Sequence, residues 1–475
     1  MDTPGSLASV RWVQTSLALF TRDLRIQDNP VLVAASQATV VPAFVIDDDI
    51  ICRFRAHASR LAFLTEALAD LDEGLRRRGG ALVIRRGRWP AAVLALARTT
   101  GATTIHVADD YSGHSQRRLA SLRTAAAAHR IQVVRHPGVT LAEPGHPAPA
   151  SGRGYRVFAP YYRRWLDSPR RPLAAPPEQI RLPAGLDPGR PPALGELTTA
   201  HPAADRAAGG ERPAIARLRA WAASGLAGYP AGRDLLAAGH VSGLSPYIHF
   251  GCLSALTIAA KVAGQPGSEE FLRQLAWRDF FHQVLAAWPD AAWRDFRSRG
   301  DQWRDDPEAL QAWQAGLTGY PVVDAAMRQL AAEGSMPGRA RMIVASFLTK
   351  DLYLDWRSGA AHFMRGLTDG DVACNQLNWQ WVAGTGTDTS PHRIFNPVRQ
   401  SQRFDAHGTY LRTYLPELAA LPAEHIHNPA ASARKACGYP APIVDHRAAV
   451  TEYRSRRATA VARPSSRSPA GVSRW

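Results

Sequence analysis

At 475 residues the chain is too long for one ordinary domain and long enough to build two or three separate cores. Its 45% hydrophobic content marks it as globular, and it has no run of about 18 apolar residues to span a membrane. A net charge of +16, carried by 54 Arg against 3 Lys, favours a polyanionic partner such as nucleic acid, although an Arg-, Ala- and Pro-rich genome would raise the charge by composition alone. The N-terminal "MDTPGSLASVRW" lacks the apolar centre of a secretory signal. Cys52, Cys252, Cys374 and Cys437 have neither metal-ligand spacing nor a disulfide framework, so the cytoplasm is the expected compartment.

Along the chain, β-branched runs come first. Segments 15–21, 40–46, 81–86, 104–109 and 131–136 read as buried strands. Helical periodicity lies between them in "HASRLAFLTEALADLDEGLRRRG" and "SQRRLASLRTAAAAHR". This alternation predicts a doubly wound parallel α/β domain over 12–140. The turn after the first strand, "RDLRIQDNP", has no glycine fingerprint for a dinucleotide. Residues 141–210 read as a connector, rich in Pro and Arg from about 168 to 205. An all-α domain is expected over 211–455, followed by a disordered basic tail over 456–475.

The helical part gathers eight of the 13 tryptophans between 277 and 381. Any one of them could be core. In "FLRQLAWRDFF", however, Gln274, Trp277, Arg278 and Phe281 share one helix face, which suits stacking on a planar group and bonding its edge. A half-buried face with an outward-reaching Arg would look the same. In "DGDVACNQLNWQW", Asp369 or Asp371 can cap the following helix. Capping does not explain why Asp371, Asn375 and Trp379 project from one side; Arg341 offers a partner for a buried carboxylate. The loop with Gly239, Ser242, Gly243 and Ser245 precedes helical sequence and could hold phosphates, as many loops could. There is no G-x-S-x-G, no Cys beside a His and no H-E-x-x-H, so hydrolysis has little support. Acids, amides, indoles and a phosphate loop fit a redox cofactor better.

From about residue 15 to 455 the chain resembles the photolyase/cryptochrome family, most closely the class I cyclobutane pyrimidine dimer photolyases. The resemblance rests on "TRDLRIQDNP", "YRVFAPYYRRW", "WQAGLTGYPVVDAAMRQL", "ARMIVASFLTKDLYLDWR" and "DGDVACNQLNWQWVAGTGTD". It implies an antenna role for the α/β domain and a U-shaped FAD in the helical domain. It also implies reduced flavin as the photoexcited donor and a lesion in UV-damaged DNA flipped into a cavity above it. The chain would act as a monomer away from membranes. Tyr229, Ser242, Leu244 and Ser245 match the phosphate and ribose contacts, with Val241 and Gly243 in the same loop. Arg341 and Asp369 match a salt bridge beside the isoalloxazine; Gly370 and Asp371 lie at its edge, and Asn375 faces flavin N5. Trp379, Trp356 and Trp303 match an electron-transfer triad running outward. Trp277, Trp381 and Met342 match the lesion pocket walls, and Trp277 and Arg278 also border the cofactor. Arg233, Arg278, Arg339 and Gln400 match DNA contacts. A second chromophore near "ADDYSGHSQRRL" would be a deazaflavin in preference to methenyltetrahydrofolate.

The chain departs from this pattern in places. Gln274 stands where dimer photolyases carry a lesion-binding glutamate, and Gly338 where an asparagine is usual. Val241 and Gly243 replace Thr and Arg, and Asp279 replaces Glu in W-R-E. These changes remove polar contacts, so the alternatives are a cryptochrome-like photoreceptor with weak or no repair, or (6-4) photoproduct repair. Against the latter, Pro337 to Met342 contains no paired histidines.

Overall fold

The computed structural model describes residues 14–55, 57–149, 152–237 and 241–461. The β-branched runs form β1 (Thr15–Leu19), β2 (Thr39–Asp47), β3 (Val83–Gly87), β4 (Ala102–Ala108) and β5 (Gln132–His136). These strands form a parallel sheet in the order β3-β2-β1-β4-β5. Leu17 of β1 lies opposite Val41 on one side and Ile105 on the other. Strand order reverses at β1, which makes the C-terminal ends of β1 and β4 the switch point of a doubly wound sheet. Both faces are covered, so β2 is apolar almost throughout.

Helices Ala58–Arg76 and Gly113–Ala127 occupy two crossovers. The periodicity reading has no helix over Pro30–Ala35, Asp48–Phe54 or Trp89–Thr99, and the structure adds all three. "WPAAVLALART" is apolar nearly all round and carries no polar stripe to reveal its period. Pro30–Ala35 is short, set by Pro30 in its first turn and by the Asn29 side chain accepting from Leu32 N.

The connector contains more structure than its composition suggests. Helix Phe158–Asp167 buries Phe158, Tyr161 and Trp165. Beyond it, the Pro-rich stretch is laced to the sheet domain. Asp28 accepts from Arg171 at 2.5 Å, Glu66 pairs with Arg206, and Ile180 N donates to Arg78 O at 2.8 Å. The expected tail is corrected at its start: helix His446–Val461 runs past residue 455. Arg457 is buried there against the equally buried Asp301 at 2.7 Å, a pair that needs the helix to continue. Residues 462–475 lie outside the described residues.

Two apolar clusters back the two faces of the sheet, and one of them continues into helix Ser268–Ala287 and Leu377. A third, entirely in the helical half, is built around Trp313, Phe347, Trp356 and Trp379.

Candidate functional site

The site begins where the sheet's switch point meets the N-terminus of helix Val372–Ala383. Asp371 caps that helix, its Oδ1 accepting from Cys374 N at 2.9 Å. Its Oδ2 accepts from Arg22 Nη2 at 2.5 Å. Arg22 follows β1, and its Nη1 reaches Asp110, just beyond β4, at 3.3 Å. One guanidinium therefore joins both switch-point strands to the helical half. His282 Nε2 lies 3.6 Å and His249 Nδ1 4.0 Å from the Asp371 carboxylate. Burial alone would raise the Asp371 pKa, but the cations and imidazoles around it hold it well below the usual carboxylate range. His282 is itself pushed down to about 4 by burial, so the working counter-charge at neutral pH is Arg22.

Two residues earlier, Asp369 accepts from Arg341 Nη2 at 2.9 Å. Arg341 is held in turn by Met336 O at 2.8 Å. Burial pushes the Asp369 pKa up, but Arg341 and the Ser245 hydroxyl outweigh it and leave it lowered. Arg60, from helix Ala58–Arg76, donates to Leu367 O at 2.8 Å and approaches Gly370 O at 3.4 Å. A Cβ at Gly370 would lie 2.0 Å from that guanidinium, so a larger residue here would have to displace the Arg60 head group. Burial lowers the Arg60 pKa to about 10, leaving it cationic at neutral pH.

One turn into the helix, Asn375 Nδ2 donates to Ala360 O at 3.0 Å and to Gln376 Oε1 at 3.1 Å. Trp379 is 2% exposed and packs edge-on against Phe363 and Trp313. The neighbouring helix Trp356–Gly366 approaches it closely through Gly359. Trp356 opens that helix fully buried, its indole N–H donating to Asp295 at 2.9 Å. Trp303 is half-buried beside Tyr353, held there by Arg304 N donating to Tyr353 O at 2.9 Å. Trp379 and Trp356 are thus both buried, and Trp303 is half-buried.

The remaining candidates are placed around this centre. Tyr229 is buried edge-on to Trp221 and Phe271. In the loop, Arg217 donates to Ser242 O at 2.7 Å and to Val241 O at 3.2 Å; Gly243 has φ +65. Leu244 is buried, exposed Ser245 starts helix Ser245–Phe250, and Gly239 lies outside the described residues. Gln274 is half-buried. Trp277 stacks face to face on Phe158, with centroids 3.7 Å apart and planes at 7°. Arg278 turns inward to donate to Val139 O at 2.6 Å. Met342 and Trp381 are half-buried, Trp381 with Arg393 5.4 Å over its ring. Arg233 pairs with Glu270 at 2.9 Å, and Arg339 pairs with Asp234 at 2.8 Å while lying over Phe404. Gly338 is exposed with open space around it, and Gln400 keeps a buried Oε1 without a partner among the described residues.

Sequence reasoning missed Arg22, Arg60, Asp110, His249 and His282. His282 had a local signal, lying four residues after Arg278 on the same helix. Arg22 and Arg60 had none, because Asp371 and Leu367, which they bind here, lie more than 300 positions away. His282, Asp371 and Cys374 bring ligand atoms within 4.8 Å of one another. Arg22 on the same carboxylate opposes a cation there, and burial with nearby Asp371 keeps the Cys374 thiol protonated. Asp369 Oδ1, Trp379 Nε1 and both His282 nitrogens are buried without hydrogen-bond partners among the described residues. Such orphaned atoms fit a planar polar ligand, since unsatisfied burial costs about 1–3 kcal/mol per group.

Two family models match the chain. One, described as DNA photolyase, covers residues 16–178; the other, the FAD binding domain of DNA photolyase, covers 271–459. A deoxyribodipyrimidine photo-lyase of Streptomyces griseus is 47% identical over 91% of this chain and 97% of its own. A bacterial class III photolyase from Agrobacterium tumefaciens superposes with TM-score 0.88 at 33% identity, covering 96% of this chain and 99% of that one. An archaeal photolyase from Sulfolobus tokodaii with two FAD molecules superposes with TM-score 0.84 at 28% identity, covering 94% and 100%.

Proposed function

Because the chain belongs to the DNA photolyase family, we propose that the Asp369, Asp371, Asn375 and Trp379 cluster is its FAD site and that Trp379, Trp356 and Trp303 supply that site with electrons. The chain is an FAD-dependent, light-driven lyase that splits cyclobutane pyrimidine dimers in DNA. The observation that carries the site assignment is the Arg341–Asp369 pair, whose second carboxylate oxygen is buried without a hydrogen-bond partner in bonding geometry among the described residues.

FAD, when bound and reduced, supplies a photoexcited one-electron donor for the dimer. The chain's residues do the rest. Asp369 would offer Oδ1 to a donor of the bound group while Arg341 holds its other oxygen. Asp371, fixed by Arg22 and by its own helix N-terminus, would hold a negative charge near the bound group without moving. Asn375, its amide nitrogen held by Ala360 O and Gln376 Oε1, would border the cofactor. Tyr229, Val241, Ser242, Gly243, Leu244 and Ser245 receive the phosphates and ribose. Trp277, held flat by Phe158, stacks with Trp381 and Met342 around the flipped lesion. Arg233, Arg339 and Gln400 face the DNA backbone. Trp379→Phe should abolish photoreduction and Trp303→Phe should shorten charge separation. Wild-type photoreduction in both variants and in Trp356→Phe would sink the electron route, and a colourless protein that refuses added FAD would sink the site.

Gln274 favours a second reading, a photoreceptor with poor repair. It keeps an N–H donor but cannot give up a proton to a lesion radical anion. Gln274→Glu should raise dimer repair per absorbed photon in an enzyme and leave it unmoved in a receptor.

The antenna belongs at the C-terminal ends of β2 and β4. There Arg118 lies 4.2 Å over the Trp89 ring and 3.6 Å from Asp47, and half-buried His114 has a buried Nε2 without a hydrogen-bond partner among the described residues. A planar deazaflavin suits that aromatic and cationic cluster. Reconstitution with a deazaflavin, a folate and FAD, read by energy transfer to the catalytic flavin, tests the choice. Among the described residues no helix is long and apolar enough to cross a membrane, and a single copy holds every residue invoked. Sedimentation as a dimer would overturn the monomer assignment.

A further inference from the structure

The sheet has two outer strands, and the chain treats them differently. Beside β3 the connector extends the ladder, with Ile84 N donating to Pro188 O at 2.8 Å. β5, at the opposite end, has no such neighbour among the described residues. In a parallel ladder one residue turns both its N–H and its C=O to one side, and the next turns both away. Asp109 N donates to His136 O at 2.9 Å, so Gln132, Val134 and His136 serve β4. Val133 and Arg135 therefore direct their N–H and C=O groups outward, with no partner among the described residues.

This edge is held ready. The His136 ring meets His106 of β4 at 2.8 Å, and Val133 packs on the same apolar cluster as Leu119 and Leu122 of helix Gly113–Ala127. An open groove follows the edge, lined by all of β5 with Asp109, Arg123 and Glu143. Its unopposed charge is positive. Arg123 and Arg130 are exposed with no ion pair among the described residues, and 46% of the Arg135 side chain is exposed. The acids are engaged: Asp109 by Arg135 at 3.4 Å and Gln116 at 3.3 Å, Glu143 by the Tyr111 hydroxyl.

We propose that the outer edge of β5 is a docking site for an extended acidic segment of a partner protein, which adds a sixth strand to the five-stranded sheet. Main-chain bonds to Val133 and Arg135 attach the segment, and Arg123, Arg130 and Arg135 select its carboxylates. Arg135 on so short an edge also deters an uncharged strand. Charge decides among the other occupants. A second copy would set the arginines of one edge against those of the other. Residues 462–475 carry Arg463, Arg467 and Arg474 with no Asp or Glu, so they are repelled in the same way. A nucleic acid would meet the arginines but leave the outward C=O groups unpaired.

The test uses the FAD-loaded full chain and a fluorescent, end-capped peptide, Val-Glu-Val-Glu-Val-Glu-Val. Its Lys-for-Glu counterpart and a form N-methylated on alternate amides are titrated beside it. The acidic peptide should bind and slow amide exchange at Val133 and Arg135 at least about tenfold, leaving Val134 unchanged. The two control peptides should bind at least about tenfold more weakly. Arg135→Pro deletes an outward N–H and spares the ladder to β4, so it should abolish binding; Arg135→Ala should lose only the salt-sensitive part. Flavin content equal to the wild type shows that both variants fold. Absence of binding up to about 1 mM acidic peptide overturns the proposal. So does equal binding of the N-methylated form, which means that the groove reads charge alone. Slow exchange at Val133 and Arg135 in the peptide-free protein overturns it as well, because the edge is then already covered. A dimer that Arg135→Pro dissolves gives the edge to a second copy instead.

Discussion

Around β1, Leu17, Leu19, Val41 and Ile105 fill the sheet's faces with aliphatic side chains; along helix Val372–Ala383, the capping Asp371 and then Asn375, Gln376, Trp379 and Gln380 are buried as well. The first region is held by apolar contacts that need no partner and tolerate small shifts. The second is held by groups that are costly when left alone, so each must find its match in one arrangement. Arg22 to Asp371, Arg341 to Asp369 and Gln380 to Ala291 O are those matches. The sheet acts as a scaffold. The helical half is held by matched polar pairs and, under the proposal above, is also the part that holds the cofactor.

The sharpest way to break this comparison is to delete one charge. Asp371→Ala should cost roughly 3–5 kcal/mol, because it strands Arg22 and removes a helix cap. FAD should be lost with it. In the sheet, Leu17→Ala should cost about 2–5 kcal/mol by leaving a cavity, yet retain FAD. Chemical denaturation and flavin absorbance on the two variants separate the cases; equal FAD retention would erase the distinction. A smaller effect comes from overfilling. A Cβ at Gly359 would lie 2.2 Å from Trp379 Cη2 and 2.5 Å from Leu348 Cδ2, so Gly359→Ala should cost about 1–3 kcal/mol. It should also impair photoreduction by displacing the indole, with flavin content unchanged.

A third prediction uses pH. Burial lowers the Lys350 pKa from 10.5 to about 7, while the ammonium donates to Pro391 O at 3.3 Å. Between these values the unfolded chain binds the extra proton, so stability should rise with pH by up to about 1.4 kcal/mol per unit. Lys350→Met should flatten that slope, as denaturation across the window can measure. The smallest effect concerns DNA. Arg233 and Arg339 are already neutralised by Glu270 and Asp234. Replacing either with Ala should therefore lower the salt dependence of DNA binding by less than about one unit, short of what a free arginine on a phosphate would contribute.

The sheet was legible because buried parallel strands announce themselves as β-branched runs, and β1 to β5 lie within a few residues of those runs. Helix Trp89–Thr99 escaped because an all-round apolar helix has no period to read. The local acids and indoles of "DGDVACNQLNWQW" were visible as a cluster, since i+4 spacing is written into the chain. Their counter-charges were not. Nothing near Asp371 in the sequence points to Arg22, 349 positions away, because only the packing of two halves brings them together. For the same reason the helix past residue 455 was read as tail: Arg457 looks like a solvated charge until Asp301 is seen beneath it.

The reach of Arg22 also orders events during synthesis. Chains emerge from their N-terminus, and early domains fold before later ones exist. When the sheet closes, Asp371 has not yet been made, and Arg22 is left with one acid, Asp110, at 3.3 Å. That pairing acts as a temporary guardian of a charge that would otherwise be stranded at an unfinished seam. When the helical half arrives, Arg22 gains Asp371 without surrendering Asp110. The nascent sheet is thus safe to wait, and it presents a cation at the position where the last part of the molecule must land.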